Sequence, residues 1–258
     1  MTITVRRPTF DLADLPRTWI GGSWLATQYG NAGHVFIPVG EAFFIDTVKG
    51  FREAIDDPAL RRDVNAFIGQ ESVHQRAHED LWDLLRARGV PVDAYVRFVE
   101  AVRSVERFVP PVLRLSTTAA LEHYTAAFGL SFLTEDLGAA VPPEMARLLA
   151  WHGLEELEHR SVAFDVLAAV DDRYVTRLAG FALGTGMLAV VPLVGTALFA
   201  AADLRHGGRP GGAPPNPDLR AITGRFLRRM GGHVAGYLRP GFHPGDLEVP
   251  PELGADVA

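Results

Sequence analysis

Two copies of one four-residue spacing constrain this chain more than any other feature: Glu71-Ser-Val-His74 and Glu156-Leu-Glu-His159. On a helix, side chains three residues apart share a face, so each pair can turn a carboxylate and an imidazole toward one point. Two further glutamates, Glu41 and Glu122, each stand in a separate helical pattern ahead of one pair. The chain order is therefore Glu, Glu-x-x-His, Glu, Glu-x-x-His, a set that a four-helix bundle can turn inward onto two metal ions. Apolar residues surround these positions at helical spacing: Phe44, Ile45, Val48 and Phe51 follow Glu41, while Leu115, Ala119, Ala126 and Leu130 flank Glu122. A carboxylate on a buried face is costly unless paired or metal-bound. Four of them would repel strongly, and two divalent cations would cancel that charge. Glu41, Glu71, His74, Glu122, Glu156 and His159 are thus the expected metal ligands. The plainer alternative, six surface residues on long helices, conflicts with the apolar stripes.

Local signals place the helices. The first is expected to start near Pro38, because proline suits a first helical turn. The second opens at Asp57-Pro58 and stops at Gly89-Val-Pro91, the third follows Pro110-Pro111 to about Leu133, and the fourth follows Pro142-Pro143 to about residue 170. Residues 91–109 carry another helical pattern with no ligand pair, and fit a crossover linking the two halves of an all-α bundle over 35–172. Residues 1–34, with Trp19, Trp24 and Tyr29, read as an N-terminal arm packed on it.

Other polar residues near the stripes have two readings each. His78 lies one turn beyond His74, and is an extra ligand, a partner that hydrogen-bonds a ligand, or an ordinary solvent-edge or core histidine. His152 lies one turn before Glu156 on the inward face, and is a candidate third metal histidine, a hydrogen-bond donor near the metals or a general base. Glu155 is a further candidate base, with a solvated charge or a charge beside the metal ligands as the alternatives. His123 is turned about 100° from Glu122 and reads as a flanking residue. Asp165 is placed to orient a ligand histidine, and Tyr124 and Thr125 to hydrogen-bond near the site.

Composition narrows the chemistry. There are no cysteines, so thiolate metal sites, iron–sulfur clusters and thiol nucleophiles are excluded. Histidine and carboxylate ligands suit iron, manganese or zinc. A net charge of −6 over 258 residues gives no reason to expect a nucleic-acid partner. The N-terminus has no apolar run of the signal-peptide kind, which leads to the expectation of a cytoplasmic protein. After the bundle, Leu178 to Ala201 is a run of 24 residues without a charge inside an apolar segment, 173–204. That run is long enough to cross a bilayer. The readings open to it are contact with a membrane surface, a homodimer interface, or two short helices broken at Pro192. Residues 205–258 read as a basic linker, a short basic amphipathic helix from Arg220 to Leu238 broken at Gly231-Gly232, and an irregular tail.

Three stretches carry a family resemblance: Phe67-Ile-Gly-Gln-Glu71-Ser-Val-His74 with His78, Leu121-Glu-His123, and Trp151-His-Gly-Leu-Glu-Glu-Leu-Glu-His159 through Ala163-Phe-Asp-Val166. On these the chain resembles the bacterial proteins described as predicted metal-dependent hydrolases, within the wider ferritin-like superfamily. The resemblance covers about residues 15–205. It implies a ferritin-like four-helix bundle holding two metals, commonly two irons that react with O2. Glu41 and His74 would then be terminal ligands of one metal, Glu122 and His159 of the other, with Glu71 and Glu156 as bridges. The favoured reading at this level is a di-iron oxidase or oxygenase acting on a small or apolar organic molecule, with an electron donor as partner. Hydrolysis through a dimetal-bound water is the first alternative, and a non-catalytic iron-handling protein the second.

Overall fold

The computed structural model describes residues 2–205 and 216–254, and these are helical with no strand among them. Eight α-helices follow in order: α1 (Trp24–Gly50), α2 (Pro58–Ala87), α3 (Val92–Ser104), α4 (Pro111–Thr134), α5 (Pro143–His159), α6 (Val162–Val170), α7 (Tyr174–Arg205) and α8 (Leu219–Gly236). The start signals of three helices hold. Pro58, Pro111 and Pro143 each occupy a first turn, and the Asp57 carboxylate caps α2 by accepting from the Ala59 amide at 2.8 Å. Gly89, with φ of +82°, closes α2 in a conformation open to glycine.

Helix α1 departs from expectation. It begins at Trp24 behind a Ser23 cap, more than a dozen residues before Pro38, which lies inside it. An interior proline leaves the carbonyl four residues earlier without its usual amide donor. Here that carbonyl belongs to His34, and the Trp82 indole Nε1–H donates to it at 3.2 Å. A tertiary contact from α2 thus supplies what the proline lacks, and no local signal could announce it.

The expected fourth helix is divided directly after His159. Arg160 and Ser161 interrupt it, and the Arg160 guanidinium donates to the Leu157 and Pro244 carbonyls. Proline and glycine fail as breakers further on. Helix α7 runs unbroken through Pro192, and α8 runs unbroken through Gly231-Gly232. The linker expected after Arg205 falls on residues 206–215, outside the described residues. The tail is less irregular than expected: it makes 3-10 turns at Pro244–Asp246 and Pro251–Gly254 and buries Phe242. Asp165 belongs to this tail rather than to a ligand histidine, since its carboxylate pairs with His243 Nε2 at 2.8 Å.

Helix α4 is the hub, packed against α1, α5, α6, α7 and α8, and buried along nearly its whole length. Helices α1 and α2 pack on each other and close the arrangement against α4 and α5. Helix α3 lies across α1 and α7, with Tyr95 and Val99 buried beside Val191 and Phe199. Helix α7 has the length and hydropathy of a membrane-crossing helix. Its buried face, including Gly180, Gly184, Val191 and Phe199, sits on the bundle, and Val175, Leu183, Val190 and Leu193 of the other face are exposed.

Two glycines set the separation that matters for the site. A Cβ built on Gly129 of α4 would stand 2.5 Å from the Gly153 carbonyl oxygen of α5, and one on Gly153 would stand 2.9 Å from Gly129 Cα. The two backbones touch one turn before Glu156 and two turns after Glu122. Gly129→Ala is expected to force these helices apart and destabilise the protein by about 1–3 kcal/mol, the usual cost of overpacking. Denaturant unfolding would measure it; a midpoint unchanged from wild type would show that the contact does not set the spacing.

Candidate metal centre

Each of the six expected ligands is buried and faces the others. Glu41 comes from α1, Glu71 and His74 from α2, Glu122 from α4, and Glu156 and His159 from α5. His159 Nε2 lies 3.2 Å from Glu71 Oε1, 3.2 Å from Glu122 Oε2 and 3.4 Å from Glu156 Oε2. His74 Nδ1 lies 3.9 Å from Glu41 Oε1, 3.8 Å from Glu71 Oε1 and 3.6 Å from Glu156 Oε1. Two lobes result, one around His74 and one around His159. Glu71 and Glu156 stand between them, and the imidazole centroids are 6.0 Å apart.

The outward nitrogens of both histidines are tied. His74 Nε2 is 3.0 Å from Glu155 Oε2, and His159 Nδ1 is 2.9 Å from Gln70 Oε1. Gln70 cannot be reversed, because its amide nitrogen donates to Glu158 at 2.8 Å and to the Thr4 carbonyl at 3.0 Å. In its neutral form each of these two histidines therefore places its proton on the outer nitrogen and leaves the inner one as a lone pair, the tautomer that metal-bound histidines use. Glu155 is itself held by Trp151 Nε1 at 3.0 Å and by the Arg6 guanidinium at 3.2 Å. It lies behind His74, so its geometry is that of an orienting carboxylate rather than the candidate base.

The inner atoms are the unmatched ones. Both oxygens of Glu41, Glu71 and Glu122, with Glu156 Oε2, His74 Nδ1 and His159 Nε2, are buried without a hydrogen bond, though several approach one another at ion-pair distance. Buried polar atoms seldom go unpaired. Atoms that all converge on two lobes, in a carboxylate and imidazole set, fit divalent cations.

Electrostatics agree. Burial, reinforced by the neighbouring carboxylates, pushes Glu41 and Glu71 well above the ordinary carboxylate range. Burial also drives Glu122 up to about 7, against the pull of His159. Burial disfavours a charge on His159 as well, but Glu156 and Glu122 outweigh it and lift that imidazole to about 10. Glu156, beside His159 and His152, is held well below the usual range despite its burial. Without cations the cluster thus retains protons that metals must displace.

Two more histidines, His152 and His78, join this cluster. His152 Nε2 is 2.8 Å from Glu156 Oε1 and 3.5 Å from Glu41 Oε1. His78 Nε2 meets His152 Nδ1 at 2.7 Å, one step further from the carboxylates. The chain also supplies residues that sequence reasoning missed. His34 meets His78 through their Nδ1 atoms at 2.6 Å. Its signal was available: it stands seven residues, two helical turns, before Glu41. Gln70 and Arg6 had no such signal. His123 lies elsewhere, with Nε2 at 2.9 Å from the His233 carbonyl and its ring against Tyr237 and Phe242. Tyr124 bonds Thr185 on α7, and Thr125 bonds the Glu122 carbonyl in its own helix.

Protons and cations compete for the same atoms, which fixes a sign. Glu122, with a pKa of about 7, cannot ligate below that pH without first losing a proton, and His159 carries one up to about 10. Zinc or manganese affinity should rise at least about tenfold between pH 6 and pH 8. Chelator competition at both pH values would measure it, and a flat profile would contradict the protonated cluster.

The comparisons bear on the same residues. A family model described as predicted metal-dependent hydrolase matches residues 4–248, a span that holds every residue of the cluster. No curated protein and no solved structure matches the chain. The chain belongs to the predicted metal-dependent hydrolase family.

Proposed function

We propose that this chain is a dinuclear metal-dependent hydrolase built on a ferritin-like arrangement of α1, α2, α4 and α5. The observation that carries the reading is the set of buried, unbonded ligand atoms converging from four helices, with −4 of carboxylate charge matched by two divalent cations. Glu41 and His74 would hold one cation and Glu122 and His159 the other, with Glu71 and Glu156 available to both. Bound there, divalent cations would supply Lewis acidity toward a substrate oxygen and toward a water. The protein's own contribution is orientation. Gln70 and Glu155 keep the His159 and His74 lone pairs inward, and the Arg6–Glu155–Glu158 pairing fastens the N-terminal segment over them. The substrate would enter beside His152, which keeps slight exposure where His74 and His159 have none.

The family match reverses the order favoured at the level of sequence, where a di-iron oxidase came first. One observation keeps oxygen chemistry as a second reading: four carboxylates against two imidazoles make a hard, iron- or manganese-compatible set.

One pair of assays separates the two. Protein loaded with zinc or manganese is expected to hydrolyse activated phosphodiesters or carboxylic esters. Glu156→Ala and His159→Ala are expected to lose at least one metal per chain and about 100-fold or more in rate, with helix content kept. Protein loaded anaerobically with Fe(II) is then exposed to O2. Oxygen uptake matched to iron, with no hydrolysis by any metal form, would overturn the hydrolase in favour of the oxidase. Full metal content in both variants would overturn the site.

A further inference from the structure

Three buried imidazoles stand in file behind the carboxylates, from α1, α2 and α5. His34 Nδ1 is 2.6 Å from His78 Nδ1, His78 Nε2 is 2.7 Å from His152 Nδ1, and His152 Nε2 is 2.8 Å from Glu156 Oε1. The last link sets the direction of the others. An ionised carboxylate only accepts, so His152 carries its proton on Nε2. Its Nδ1 is then a lone pair, which accepts from His78 Nε2–H. That leaves His78 Nδ1 bare, and it accepts from His34 Nδ1–H. A neutral file has one consistent set of tautomers, and every donor points toward Glu156.

Two groupings also come close enough to suggest a cation held by His152: Glu41, His78 and His152, and His74, His152 and Glu156. Two facts argue against it. Ligand atoms on one cation at about 2.1 Å stand roughly 3 Å or more apart, wider than the 2.7 Å between His78 Nε2 and His152 Nδ1 and the 2.8 Å between His152 Nε2 and Glu156 Oε1, each the distance of one shared proton. Two divalent cations already balance the four carboxylates, so a third would leave a buried positive charge with no counter-ion. Both facts assign the file to hydrogen bonding.

We infer that His34 and His78 are positioning residues that fix His152 as an Nε2–H donor onto Glu156, so that His152 braces a ligand carboxylate and binds no metal. The inference rests on the dinuclear reading for its consequence, since the braced carboxylate is one that the two metals share. The tautomers themselves do not depend on it. The Trp19 ring set edge-on against His34 at 5.6 Å and the Trp82 indole bonded to the His34 carbonyl hold the far end of the file in place.

Nitrogen-15 NMR of histidine-labelled protein, metal-free and zinc-loaded, tests the file directly. The expected pattern is a proton on Nε2 of His152, on Nε2 of His78 and on Nδ1 of His34 in both forms. A proton on His152 Nδ1, or a zinc-shifted nitrogen on His152 or His78, would overturn the inference. A pair of variants tests the consequence. His78→Gln keeps an amide donor near the Nε2 position, and His78→Leu removes it. The leucine variant should still bind two zinc ions but about tenfold or more weakly, as is usual for outer partners of metal ligands, and the glutamine variant should recover most of the loss. Equal weakening in both, no weakening in either, or loss of one zinc in the leucine variant would each overturn it. Wild-type protein that took up no zinc would sink the dinuclear reading, while the metal-free tautomers would still decide the file.

Discussion

The mutual repulsion of four buried carboxylates is the constraint on which the rest of this structure depends. Glu41, Glu71, Glu122 and Glu156 have been taken out of water and aimed at one another, which is unfavourable both by desolvation and by like charge. Protons relieve it in part, and the upward drive on Glu41, Glu71 and Glu122 is that relief at work. Divalent cations relieve it fully. Without a cation the compensation is partial: His159 Nε2 lies near Glu71, Glu122 and Glu156, and His152 Nε2 reaches Glu156 Oε1, while both oxygens of Glu41, Glu71 and Glu122 lack a hydrogen bond.

Everything around the cluster keeps those groups from escaping. Helices α4 and α5 are held at backbone contact by Gly129 and Gly153, so Glu122 and Glu156 cannot separate. Gln70 and Glu155 fix the outer nitrogens of His159 and His74, and Arg6 reaches from the N-terminal segment to complete the ring. The file from His34 to His152 does the same for Glu156 from the opposite side. Metal sites of this kind depend on such outer partners nearly as much as on the ligands.

The parts legible in the sequence were those with a local period. The i, i+3 pairs, the apolar stripes and the proline starts of α2, α4 and α5 placed all six inward residues on the correct helices. What could not be read was set by contacts between distant segments. The true start of α1 depends on Trp82 satisfying the carbonyl that Pro38 leaves free, 48 residues away. The break after His159 depends on Arg160 reaching Leu157 and Pro244, and the role of Asp165 on a histidine in the tail. Glu155 had several readings in the sequence, and only its contacts with His74, Arg6 and Trp151 choose among them. The break expected at Gly231-Gly232 is absent from α8, and of the readings open to α7 the break at Pro192 is the one that fails, because packing on the bundle overrides local propensity.

The most direct measurement is anomalous diffraction at the metal absorption edge from crystals grown with zinc or manganese. Two peaks are expected inside the cluster, one beside His74 and one beside His159, with Glu71 and Glu156 between them. A single peak, or none among these six residues, would contradict the account.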